Sequence, residues 1–153
     1  MQVMERAMRG FKRAVLAVLV SAPAWAQAPD VTALYEVSAA GSVAKLAPGA
    51  RGTVVLAITA KDGAHVSDEA PLRIELKAKG AALGKEKLTL ADSVAKKAEG
   101  QKYADPRFEV PVTAPATAGQ ASVEAKLTFF ICTEKVCSRQ MKTVEIPIEV
   151  KGG

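Results

Sequence analysis

The residues of this sequence best suited to chemistry are its only two cysteines, Cys132 and Cys137, which have four residues between them. Two neighbouring thiols can form a disulfide, exchange that disulfide with another thiol, or bind a soft metal ion. Three interpretations are therefore open: a structural bridge, a redox pair, and a Cu(I) or other soft-metal site that also uses Met141. The spacing alone does not decide between the first two.

His65 is the only histidine of the chain and follows the turn signal Asp62-Gly63. A lone histidine cannot form a His-based metal cluster, and we interpret His65 as a partly buried structural residue. The sequence also has no glycine-rich phosphate loop and no carboxylate pair in a distinctive context. Glycosidases, phosphotransferases and zinc hydrolases all need such residues, so these functions are not supported and no cofactor is expected.

The segments that must position the cysteines have the patterns of β-strands. Strands are predicted at 51–60, 71–77, 87–90, 107–113, 121–132 and about 142–150, with a polar loop at 95–106 and a turn at 114–120. Pro111 favours an edge position for its strand, because proline donates no hydrogen bond to a neighbouring strand. About seven short strands without an amphipathic helix predict an all-β fold, an immunoglobulin-like antiparallel β-sandwich.

The alternation of the last two strands predicts where the thiols point. Inward positions are predicted for Val123, Ala125, Leu127, Phe129 and Ile131, and for Val144, Ile146, Ile148 and Val150. The opposite parity places both Cys132 and Cys137 on the outer side of one hairpin, joined by a four-residue loop and close enough for a disulfide. The segment 138–141 fits the core pattern poorly and is a candidate for a β-bulge.

A disulfide at this place would stabilise the fold only weakly. In the loop-entropy description, closing about six residues contributes roughly 2 kcal/mol, whereas closing about a hundred contributes nearly 5 kcal/mol. The bridge would also join two strands that their ladder already holds together. The predicted core is therefore the main source of stability, through Val54, Leu56, Ile74, Leu127, Phe129 and Ile146.

From about Gly52 to Val150, the chain resembles the amino-terminal periplasmic domain of the thiol:disulfide interchange protein DsbD. The matching features, in chain order, are Gly63-Ala64-His65-Val66, then Pro71 with an alternating strand, Phe108-Glu109-Val110-Pro111-Val112, Leu127-Thr128-Phe129-Phe130 before Cys132 and Cys137, and Val144-Glu145-Ile146-Pro147-Ile148. The sequence departs from the family after Cys137, where prolines are common in the relatives and Ser138-Arg139-Gln140 stands here.

The resemblance implies that Cys132 and Cys137 alternate between disulfide and dithiol, as part of a thiol:disulfide oxidoreductase system. It implies a partner that is a periplasmic thioredoxin-like protein or a membrane thiol reductase, and a loop with an aromatic residue that shields the site, here 96–106 with Tyr103. It also implies that Cys137, the second cysteine, meets the partner. The flanking cations Lys135 and Arg139 favour the same choice, because cations stabilise a thiolate. The alternative function is an exported immunoglobulin-like adaptor with a structural disulfide.

The first 26 residues have the pattern of a cleavable signal peptide. Arg6, Arg9, Lys12 and Arg13 form a basic region, a short apolar run follows, and Ala24-Trp25-Ala26 is a small-residue cleavage pattern. We therefore expect a single domain at 27–153 in the periplasm or outside the cell, without membrane insertion after cleavage. Removing residues 1–26 takes away four basic residues and one acidic residue, which leaves 17 basic and 15 acidic residues and a net charge of +2. This small charge predicts no nucleic-acid partner, and a monomer is expected.

Overall fold

The computed structural model describes residues 30–152 of the chain. The predicted signal peptide at 1–26 lies outside the described residues. Within them, the helical segments are two three-residue 3-10 helices, Thr32–Leu34 and Leu90–Asp92. No helix of this described part has the length and apolar character needed to cross a membrane.

The described chain forms ten β-strands. They are β1 Tyr35–Ser38, β2 Lys45–Leu46, β3 Arg51–Ala60, β4 His65–Val66, β5 Arg73–Lys79, β6 Ala82–Leu83, β7 Lys87–Thr89, β8 Arg107–Thr113, β9 Gly119–Cys132 and β10 Cys137–Val150. All the longer predicted strands are present. The short strands β1, β2, β4 and β6 were not predicted, and β10 begins five residues earlier than expected, at Cys137.

The strands form two sheets. The first sheet has the order β1-β3-β8-β6, and the second has the order β2-β10-β9-β5-β7, with β4 also paired to β9. The neighbours β1-β3-β8-β6 and β5-β9-β10 correspond to the two sheets of an immunoglobulin domain. The predicted antiparallel β-sandwich is therefore confirmed, with one exception to its direction: β2 runs parallel to the end of β10.

One hydrophobic core lies between the sheets. Alternating side chains of β3, β5, β8, β9 and β10 supply most of it, because successive residues of a strand point to opposite faces. The six predicted core residues, Val54, Leu56, Ile74, Leu127, Phe129 and Ile146, are all buried. Phe129 is fully buried, and its ring meets that of Tyr35 edge to face at 5.1 Å between centroids.

The pairing of β9 with β10 continues without interruption over 14 residue pairs, from Cys132 opposite Cys137 to Gly119 opposite Val150. The suspected bulge at 138–141 is therefore wrong. The polar residue that breaks the core pattern there, Gln140, is buried and satisfied: the Tyr35 hydroxyl donates to its Oε1 at 3.0 Å, and its Nε2 donates to the Ser138 hydroxyl at 3.0 Å. A buried polar group with hydrogen-bond partners is tolerated, so the strand stays regular.

Pro111 lies in β8, beside the edge of the first sheet. Its carbonyl accepts a hydrogen bond from the Gly84 N–H at 2.8 Å, so the backbone of Pro111 faces the short strand β6 rather than β3. β6 pairs only with Val112 and Thr113. The edge position predicted from Pro111 is therefore wrong, because β8 lies between β3 and β6. The proline is tolerated because its missing donor points to the side of β8 that is only sparsely paired.

Replacing Phe129 by alanine should destabilise the protein by about 3–5 kcal/mol, because it leaves a cavity in the centre of the core. Met141 provides the control, because it lies on the outer face of the same sheet and is 69% exposed. Met141→Ala should change the free energy of unfolding by no more than about 0.5 kcal/mol. Urea unfolding followed by circular dichroism measures both, and equal losses in the two variants would contradict this account of the core.

Candidate functional site

The tip of the β9–β10 hairpin is tighter than the sequence suggested. The Thr133 N–H donates to the Val136 carbonyl at 2.8 Å, which extends the ladder by one pair beyond the cysteines. The Thr133 hydroxyl oxygen accepts the N–H groups of Lys135 and Val136, each at 3.2 Å. A threonine hydroxyl can hold a turn in this way. The predicted four-residue loop is therefore a two-residue turn, Glu134-Lys135.

This ladder places Cys132 directly opposite Cys137, and the two are joined by a disulfide. Because the next pair, Thr133 and Val136, is hydrogen-bonded, the cysteines occupy a non-hydrogen-bonded pair, the type in which the Cα atoms of opposite residues are closest. Their Cα atoms are 4.0 Å apart. The predicted pairing of the thiols on the outer side of one hairpin is therefore correct.

The two cysteines differ in accessibility, which the sequence did not predict. Cys137 is exposed, whereas Cys132 is only 3% exposed. The expectation of a fully exposed bridge is thus wrong for Cys132. The cause is the position of each strand: β9 has β10 on one side and β4 on the other at this level, whereas β2 covers β10 only at Glu149 and Val150. Cys137 therefore lies on an open edge, and Cys132 lies inside the sheet.

His65 is the neighbour of Cys132 on the side away from Cys137. It pairs with Cys132 in the β4–β9 ladder, and Val66 pairs with Ile131. Val66 and Ile131 both point into the core, so the alternation of strands places His65 on the outer face together with Cys132. His65 is half-buried, as expected for a structural histidine. Its place beside a cysteine depends on pairing between distant segments, and no local sequence signal reports it.

The loop predicted at 95–106 covers this part of the outer face. Tyr103 from the loop stacks on His65, with 3.6 Å between ring centroids and 7° between ring planes. Two contacts hold the loop in place. The residues that flank it are joined, because the Val94 N–H donates to the Arg107 carbonyl at 2.7 Å. Near its start, the Lys97 ammonium lies 3.1 Å from the Asp68 carboxylate. An aromatic side chain thus covers the histidine that adjoins the buried cysteine.

Charged groups surround this covered side of the site. The hydrogen bond from Lys97 is the main reason that the pKa of the Asp68 carboxyl is lowered. The Lys102 ammonium lies 5.2 Å from the centre of the Tyr103 ring, and hydrogen bonding with Tyr103 raises the pKa of Lys102. His65, Lys102, Tyr103 and Glu134 all line one open cleft. The cleft therefore contains both signs of charge next to the disulfide.

The outer face beyond the cysteines continues with Arg139, which pairs with Phe130, and then with Met141, which pairs with Thr128. Met141 is four residues from Cys137 along a strand, a separation of about 13 Å. That distance prevents Met141 from sharing a metal ion with the two thiols, so the proposed three-ligand copper site does not form in this arrangement. Within the described residues, no group of three His, Cys, Asp or Glu side chains is placed to hold a metal ion.

Removing the disulfide should cost the fold about 2 kcal/mol, the value expected for closing a loop of this size. The variant with Cys132→Ala and Cys137→Ala tests this, because alanine adds no polar group at the buried position. Urea unfolding of this variant, of the oxidised protein and of the chemically reduced protein gives the comparison. The variant and the reduced protein should lose similar stability, and an unfolded variant at room temperature would show that the bridge is essential to the fold.

The sequence matches no protein-family model and no curated protein. Among solved structures, the chain is similar to the CooA pilin subunit from enterotoxigenic Escherichia coli, with 11% sequence identity, coverage of 78% of this chain and 99% of that chain, and a TM-score of 0.28. A similarity at this level carries no argument about function. The contacts around the Cys132–Cys137 disulfide are therefore the basis on which a function can be proposed.

Proposed function

We propose that this protein is a thiol–disulfide exchange domain, in which the Cys132–Cys137 pair passes electrons to or from a partner protein. The observation that carries the proposal is the asymmetry of the bridge, with Cys137 exposed and Cys132 buried. Exchange begins when a thiolate attacks one sulfur of a disulfide, and its rate depends on access to that sulfur. An incoming thiolate can reach Cys137 from the open edge of β10, while Cys132 is left as the leaving group.

The position of the bridge also supports exchange over a purely structural role. Immunoglobulin-type structural disulfides join the two sheets, whereas this one joins neighbouring strands of the same sheet. The ladder already holds those strands in register along their whole length. Reduction can therefore occur without loss of the fold, which a residue pair that cycles between two redox states requires.

The proposed partner is a thioredoxin-like protein or a membrane thiol reductase, as the resemblance to DsbD-like domains implies. A disulfide in the resting state fits an oxidising compartment, and we therefore place the protein in the periplasm or outside the cell. Arg139 is exposed next to Cys137 along β10. Of the ion pairs among residues 30–152, none involves Arg139. Its charge is thus available to favour a thiolate of the partner.

The redox potential of the pair should lie above about −300 mV, because structural disulfides lie below that value. Equilibration with buffers of reduced and oxidised dithiothreitol, followed by alkylation and mass measurement, gives the potential. The alternative function, a binding module with a structural disulfide, predicts a bridge that stays oxidised in buffers that reduce exchanging disulfides. A potential well below −300 mV would therefore favour that alternative.

Replacing one cysteine at a time should trap the partner through the other. Cys132→Ser keeps the exposed thiol of Cys137 and should accumulate a mixed disulfide with the partner in the cells that make the protein. Cys137→Ser keeps only the buried thiol and serves as the matched control, with at least about tenfold less adduct expected. Non-reducing gels with and without dithiothreitol measure the adducts. Equal trapping by both variants would contradict the assignment of Cys137, and no adduct from either would contradict exchange.

A further inference from the structure

Three side chains stand in a row across three strands on the outer face of the second sheet. They are Cys137 on β10, Cys132 on β9 and His65 on β4, and each is the direct register partner of its neighbour. The β-carbons of directly opposite residues lie roughly 4.5–5.5 Å apart. His65 is therefore the register neighbour of the buried cysteine, on the side opposite the exposed one, and its imidazole is within reach of the Cys132 sulfur.

Exchange at Cys137 creates a chemical problem at Cys132. When a partner thiolate attacks the Cys137 sulfur, the S–S bond breaks and its electron pair leaves on the Cys132 sulfur. Because Cys132 is only 3% exposed, water cannot fully solvate the resulting thiolate, and an unpaired buried charge is costly. A proton donor beside that sulfur would remove the charge as it forms. Imidazole is the side chain that most readily gives and takes a proton between pH 5 and 8.

Resting on the exchange function proposed above, we infer that His65 is the proton donor to the Cys132 sulfur in reduction and the proton acceptor from it in oxidation. In reduction, the partner thiolate forms a mixed disulfide with Cys137, and the His65 imidazolium gives its proton to the departing Cys132 thiolate. The second thiol of the partner then loses its proton to solvent and attacks the mixed disulfide, which releases Cys137 as a thiolate; Cys137 and His65 each take up a proton from solvent. The partner dithiol is thereby oxidised to a disulfide while the Cys132–Cys137 pair is reduced to a dithiol. Oxidation reverses each step, with neutral His65 taking the proton from Cys132.

The groups that face His65 come from three segments. Tyr103 stacks on the ring, and Lys102 lies over Tyr103, so the loop contributes a phenol and a cation. Glu134 at the hairpin tip lines the same cleft, and Asp68 lies close enough to interact electrostatically with His65. The stacked Tyr103 covers one face of the ring and shields that face from bulk solvent.

The test measures the rate constant for reduction of the disulfide by dithiothreitol as a function of pH. Each rate constant is divided by the concentration of dithiothreitol thiolate, so that ionisation of the reagent itself does not contribute to the pH dependence. At pH 6 the purified wild-type protein should react at least about tenfold faster than His65→Phe, a smaller factor than the roughly hundredfold or more that a positioned proton donor usually contributes. At pH 8.5 the two rates should agree within about twofold. His65→Gln should behave like His65→Phe, and circular dichroism confirms that both variants are folded.

Two matched controls separate proton donation from other effects. Lys102→Gln removes a cation of the same cleft whose charge stays the same between pH 6 and pH 8.5, and it should change both rates by a similar small factor. His65→Lys keeps a positive charge at both pH values without an imidazole, and it should stay slow. A fast His65→Lys variant at both pH values would overturn the inference in favour of simple attraction of the thiolate. An unchanged pH profile in His65→Phe would overturn it as well.

These outcomes are independent of whether the protein has an exchange partner. If the wild type and His65→Phe have the same profile while Cys132→Ser still traps a partner, the role of His65 is wrong and the exchange function stands. If no partner is trapped and the potential lies below about −300 mV, the exchange function is wrong, whatever the pH profile shows.

Discussion

The unbroken pairing of β9 with β10 is the constraint on which the rest of the structure depends. Its 14 pairs fix which side chains of both strands point into the core and which point outward. A shift of β10 by one residue against β9 would turn Ile148 to the surface and separate Cys132 from Cys137. The same register therefore specifies the core and the disulfide, and the hydrogen bonds of Gln140 with Tyr35 and Ser138 allow a polar residue to remain within it.

The differing surroundings of the two sulfurs arise from the neighbours of this hairpin, not from the hairpin itself. Among residues 30–152, β10 at Cys137 has a strand on one side only, β9, while β4 and the loop with Tyr103 close the side of Cys132. A disulfide between one open and one closed position has a preferred site of attack. In the proposed function this asymmetry gives each cysteine its own part, with Cys137 meeting the partner and Cys132 retaining the second thiol.

The sequence was informative wherever the determinant is local. The alternation from Val123 to Ile131 predicted the inward side chains of β9, and all of these are buried. Prediction from the sequence failed where strand pairing joins segments that are far apart in the chain. Nothing near Cys132 in the chain signals that His65 pairs with it, so both the burial of this cysteine and the position of the histidine were missed. The bulge expected at 138–141 was wrong because the partner of Gln140, Tyr35, comes from the start of the fold.

The outer edge of β8 is closed to a further strand by several local means. Both backbone groups of Arg107 are already hydrogen-bonded on this side. Its carbonyl accepts the Val94 N–H, and its own N–H donates to the Ser93 hydroxyl. Pro111 has no N–H to offer, and its carbonyl is taken by Gly84. Glu109 lies between Arg107 and Pro111, and its exposed charged side chain disfavours the pairing of a strand from a second chain here. Side-by-side pairing of two such sheets into a larger one would therefore meet an interrupted, charged border along β8.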